Sequence, residues 1–153
     1  MTRAEIEIVK PDNAALLQLI DQLDADLLDR YPAEEVHGVD FQDPQIHEIL
    51  FIVAYVDGQA VGCGAIRPLD SESVELKRFF VAPDYRNQGI AAQMLHFLEQ
   101  RAVERKYQFI RLETGTMQPE ANQFYEKHGY DEIAQFGMYV GSEYSICYEK
   151  RLG

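Results

Sequence analysis

The sequence predicts a mixed α/β fold built as one domain over residues 1–153, with elements in the order β-α-β-β-β-α-β-α-β-β. Three observations carry this expectation. Short apolar stretches alternate or run on between turn formers, as strands do, while longer segments repeat their apolar residues at helical spacing. The two kinds interleave along the chain instead of segregating. No linker, repeat or low-complexity tract interrupts them, and the length suits one core that buries roughly two-thirds of the unfolded surface.

Each element has its own warrant. "EIEIVK" alternates and stops at Pro11, a first strand. Asn13 then caps a helix whose apolar positions are Leu16, Leu17, Ile20, Leu23, Leu27 and Leu28. Tyr31-Pro32 reads as a helix stop, with the wall of a substrate pocket as the alternative, and residues 31–44 read as a loop with one helical turn. "LFIVAYV" and "QAVGCGAIRPL" flank Asp57-Gly58, a strong hairpin signal. "SVELKRFFV" follows as a strand ending before Pro83. From Gly89 to about Lys106, the residues Ile90, Met94, Leu95, Leu98, Ala102 and Val103 mark an amphipathic helix. "FIRLET" is a strand, Pro119 opens a short helix that Gly129 closes, and "YDEIAQF" and "SEYSICYEKRL" supply two last strands.

Charge and composition narrow the function. Lys and Arg total 14 against 26 acids, a formal net of −12. Residues 1–48 hold 12 of those acids and three bases, Arg3, Lys10 and Arg30. Such a chain repels nucleic acid and anionic membrane. The acidic first third either keeps the protein soluble or steers a cationic substrate. No signal-peptide pattern opens the sequence, and "ILFIVAYV" is too short to cross a bilayer, so a cytoplasmic protein is expected. Cys63 and Cys147 read as small hydrophobes, and no Cys/His spacing suggests a metal. His37, His47, His96 and His128 show no ligand pattern; His128, in a last helical turn, suits a structural cation.

"RNQGIA", residues 86–91, carries the chemistry. It opens the long helix with a cation, two amides and a glycine, where Ser or Asp would be the ordinary cap. A helix N-terminus leaves backbone N–H groups unpaired and partly positive, so this pattern suits an incoming phosphate. It lacks the Gly-Lys-Ser/Thr of a nucleoside-triphosphate loop and the three glycines of a dinucleotide fingerprint. By itself the hexapeptide is equally a structural helix start.

With "VELKRFFV" before it and "ANQFYEKHGY" after the next strand, the chain resembles the GNAT superfamily of acyl-CoA-dependent N-acyltransferases. The family's pyrophosphate loop, Gln/Arg-x-x-Gly-x-Gly/Ala, is matched by Arg86, Gly89 and Ala91. The resemblance is strong over about residues 50–133 and weak before that. It implies a central mixed, mostly antiparallel twisted sheet flanked by helices, with acetyl-CoA as co-substrate and no metal. Arg86, Asn87, Gln88, Gly89, Ile90 and Ala91 would hold its pyrophosphate. The main chain of Phe79, Phe80 and Val81, on a strand splayed from its neighbour, would pair with the pantetheine arm. Asn122 would touch the cofactor as well.

The resemblance also implies two catalytic residues. Tyr125, four residues before Gly129, would protonate the departing thiolate. Glu75, six before Val81, would deprotonate the amine, the alternative being a strand residue paired with Lys77 or Arg78. The activity implied is transfer of acetyl from acetyl-CoA to a primary amine of a small molecule or peptide, by direct attack. A non-catalytic acyl-CoA-binding or regulatory module of the same fold is the alternative. Relatives frequently pair as homodimers through their C-terminal strands.

Overall fold

The computed structural model describes residues 1–153. Its strands are β1 (Glu5–Val9), β2 (Leu50–Val56), β3 (Gln59–Pro68), β4 (Ser73–Val81), β5 (Phe109–Gly115), β6 (Asp131–Ile133) and β7 (Ser145–Arg151). Three α-helices join them: α1 (Ala14–Leu28), α2 (Ile90–Glu104) and α3 (Pro119–Lys127). The element order is the expected one. All seven strands form one sheet in the order β1-β2-β3-β4-β5-β7-β6, antiparallel everywhere except between β4 and β5.

The continuous apolar run of β2 follows from burial on both faces. Leu50, Ile52 and Ala54 pack with α2 residues in one cluster, while Phe51 and Val53 pack with α1 in the other. The hairpin turn forms as predicted, with Asp57 and Gly58 both at positive φ, 50° and 81°. Asn13 caps α1 by accepting the Leu16 N–H at 3.0 Å. That helix buries Leu16, Leu19, Ile20 and Leu23, whereas Leu17 and Leu28, expected inward, face solvent. Their positions lie off the centre of the apolar stripe that faces the sheet. Val103 of α2 is exposed for the same reason.

Three segments depart from expectation. The loop after α1 holds two 3-10 turns, Ala33–Glu35 and Pro44–Glu48, not one. The "YDEIAQF" strand is cut to three residues, because Gln135 turns back to donate to the carbonyls of Ser142 and Ser145, at 2.6 and 2.9 Å. The last strand begins only at Ser145. Both cysteines are free and buried, as small hydrophobes would be.

Two backbone irregularities shape the site. The β4–β5 ladder lasts only for Ser73–Phe109, Val74–Ile110 and Glu75–Arg111, and then the strands diverge. Within β4 the register shifts against β3 between the Lys77–Ala65 and Phe80–Cys63 pairs, and Arg78 sits at φ 52°. This is a β-bulge, a device that bends a strand and re-aims its side chains.

Candidate active site

The diverging ends of β4 and β5 open a cleft of about 600 Å³, closed at one end by the start of α2 and at the other by the residues after α1. Phe79, Phe80 and Val81 line it from β4, and Arg86, Asn87, Gly89, Ile90 and Ala91 from the start of α2. Tyr125 lines it from α3. Gln88, Asn122 and Glu75 do not. Gln88 turns to the chain start, where its Oε1 accepts from Thr2 Oγ1 at 2.7 Å. Asn122 donates to the Gly115 carbonyl at 3.3 Å, while its Oδ1 is buried with no partner.

The α2 N-terminus is open. Gly89 occupies the cap position at φ 85°, left-handed backbone that suits glycine, and no side chain caps the helix. None of the N–H groups from Asn87 to Ala92 donates to an acceptor in the protein. The Arg86 guanidinium leans on the Phe80 ring at 5.6 Å and donates through Nε to the Val81 carbonyl at 2.8 Å, which leaves its Nη groups free of protein partners. A cradle of unpaired N–H donors beside a cation is what a pyrophosphate requires, so the residues present fit that group.

Tyr125 is packed among Phe79, Phe124, Tyr130 and Tyr148, with ring centroids 5.4 to 6.3 Å away. Burial pushes its phenol well above the ordinary range, and the nearby Glu113 carboxylate adds to the effect. The phenol therefore keeps its proton at neutral pH.

Glu75 does not reach the cleft, which revises the expectation that it sits at the amine. It is 0% exposed. One oxygen accepts from Arg67 at 2.6 Å, the other from Tyr139 Oη at 2.6 Å, and Lys77 Nζ stands 3.8 Å away. Its place on the strand turns it into a buried ion cluster. Four acids line the cleft, Asp26, Glu35, Glu113 and Glu120, and Glu113 is the one carried by a strand, β5. Desolvation pushes its carboxyl up to about 7, against the opposing hydrogen bond from Ser145 Oγ at 2.8 Å and the charge of Lys77. The sequence hid this residue. Arg111 pairs across the ladder with Glu149, but Glu113 faces Cys147, so it has no basic partner opposite; only the register shows that.

Tyr31 lines the cleft rather than only ending α1. Its Oη accepts the Met117 N–H at 3.0 Å and donates to Gln118 Oε1 at 3.2 Å, tying the post-α1 segment to the start of α3. His128 also lines the cleft, 5.5 Å from His96, and burial with nearby cations lowers its pKa. A structural cation is therefore disfavoured there, contrary to expectation.

A splayed strand pair, an open helix N-terminus and a buried phenol in one cleft define an acyl-transfer fold. Residues 47–132 match the family model described as an acetyltransferase (GNAT) domain. An IAA acetyltransferase of Azospirillum brasilense is 37% identical over 99% of this chain and 100% of its own length. A solved Klebsiella pneumoniae structure assigned to the acyl-CoA N-acyltransferases is 30% identical, covers 98% of each chain and superposes with a TM-score of 0.83. An Elizabethkingia anophelis GNAT acetyltransferase solved with acetyl-CoA bound shares the fold at 18% identity and a TM-score of 0.72, over 97% of this chain and 98% of that one. The chain belongs to the GNAT family, and it is an acetyltransferase.

Proposed function

We propose that residues 1–153 act as one N-acetyltransferase domain that moves acetyl from acetyl-CoA to a primary amine by direct attack. The observation that carries this is the convergence of the open α2 N-terminus, Tyr125 and Glu113 on one cleft. The free N–H groups of Asn87 to Ala92 and Arg86 would hold the pyrophosphate, and the unpaired stretch of β4 would take the pantetheine arm. The acetyl-CoA bound in the Elizabethkingia relative supports this choice of donor.

An alkylamine with a pKa of about 10 is almost all ammonium at neutral pH and cannot attack. Glu113, poised at about 7, is ionised often enough to accept that proton and basic enough to do so usefully. The freed nitrogen bonds to the thioester carbonyl carbon as the carbon–sulfur bond breaks. Tyr125 gives its proton to the leaving thiolate, and the second proton, shed by nitrogen as the amide forms, passes through water to restore the phenol. The burial that raises the phenol would raise the thiol in the same dry cleft, so the transfer stays near balance.

Incubating the protein with acetyl-CoA and a panel of amines, and following free thiol, tests this reading. Thiol release that depends on the amine is expected. Binding of acetyl-CoA without turnover on any amine would favour a non-catalytic module.

A further inference from the structure

The acceptor end of the cleft divides its unused hydrogen-bonding capacity between two walls. Lys77 lies on one, 7% exposed. Its ammonium has three donors, and one is used, by Tyr139 Oη at 3.0 Å. Glu75, at 3.8 Å, is an ionic neighbour beyond hydrogen-bond reach. Arg78, next in the chain and also in this wall, gives Nη1 to Asp24 and Nη2 to the His37 carbonyl at 2.8 Å. Its Nε is buried with no partner, and so is His37 Nε2. The other wall has the opposite character. Glu113 has a single hydrogen bond there, and the buried Thr114 Oγ1 has none.

Buried donors left unpaired cost free energy, and those of an ammonium cost most. One wall therefore calls for an anion and the other for a cation. The acids of the first third that line or adjoin this end do not change this balance, because they are already engaged. Asp24 holds Arg78, Asp26 lies 3.6 Å from Arg30, and Glu35 accepts from Ser142 Oγ at 2.7 Å. The steering of a purely cationic acceptor, expected from sequence charge, has no free carboxylates on α1 at this end to act through.

We propose that the acceptor is a zwitterion, an amine that also carries a carboxylate, with its amine at Glu113 and its carboxylate on Lys77 beside Arg78. Free amino acids are the simplest members of this class. The rings of Tyr31 and Tyr144, edge to face at 5.9 Å, leave an aromatic wall for the remainder of the molecule. Burial holds the Lys77 ammonium below its usual range, and an incoming carboxylate replaces the solvation it has lost. This inference rests on the acetyl-transfer reading above.

The test compares amino acids with their decarboxylated amines, tyrosine with tyramine and leucine with isoamylamine, in the thiol-release assay. The amino acid of each pair should show a kcat/KM roughly ten- to a hundredfold higher, mainly through KM, as a charge-assisted contact gives. Lys77→Met should bring that ratio close to one, and Lys77→Arg should restore part of it. Decarboxylated amines that serve as well as the amino acids overturn the carboxylate contact while leaving acetyl transfer intact. Turnover on other amines of the panel but on neither member of these pairs overturns the zwitterion assignment alone, and no thiol release with any amine overturns both. Should Lys77→Met fail to fold, the comparison with the unaltered protein decides alone.

Discussion

Replacing Glu113 by Gln removes one ionisation while changing little volume. In the folded protein desolvation lifts this carboxyl from 4.5 to about 7. The fold thus favours the protonated form. The stability it contributes is fully present below pH 4.5 and is lost as pH rises through about 7. At about 1.36 kcal/mol per pH unit, the interval amounts to about 3 kcal/mol. Urea unfolding of both proteins across this range reads the difference directly, since every other titrating group cancels between them. The unaltered protein should lose about 3 kcal/mol relative to Glu113→Gln between pH 4.5 and about pH 8. The same ionisation should appear in catalysis as a rise of kcat/KM with a midpoint near pH 7, absent from the slower variant. A stability difference that stays flat with pH would refute the desolvation of Glu113. An acid limb that survives in Glu113→Gln would refute its role as base.

Tyr125→Phe should keep acetyl-CoA affinity, measured by calorimetry, while turnover falls roughly ten- to a thousandfold, the usual worth of a positioned proton donor. Acetyl-CoA should raise the melting temperature of the unaltered protein by mass action. Gly89→Glu should abolish that shift, because it places a carboxylate at the open α2 N-terminus on left-handed backbone. Glu75→Gln should lower stability by about 2–3 kcal/mol in urea unfolding, near the lower end of what breaking a buried ion pair costs, since the amide still accepts from Tyr139. Its pH–rate profile should keep the acid limb of the parent, and loss of that limb would return the base role to Glu75.

Elements with a strong local period were legible in the sequence. The α2 start could be read as open because the signal was an absence, a missing cap, and local sequence records such an absence directly. The short helix that carries Tyr125 was legible too, bracketed by Pro119 and Gly129, whereas the role given to the tyrosine came from the family resemblance of "ANQFYEKHGY". What could not be read was set by register. Glu75 and Glu113 look alike along the chain, each an acid inside an apolar strand. Which one meets the cleft depends on where the β4–β5 ladder stops and on what lies opposite each residue. The bulge at Arg78 has no glycine or proline to announce it, and the segment from Gln135 to Ser142 is held by one amide side chain rather than by periodicity.

The divergence of β4 from β5 bears on more than the position of a ligand. Only three register pairs join the β1–β4 half of the sheet to the β5–β7 half, although a shared apolar cluster runs beneath both. A donor molecule lying in the gap would serve as a keystone, bracing two leaves that the chain alone fastens only at one end. Resistance to proteolysis would then climb with the supply of acetyl donor, since openings that part the leaves must first eject it. A cell poor in that metabolite would hold less of the protein, coupling the catalyst's lifetime to the availability of its own reagent.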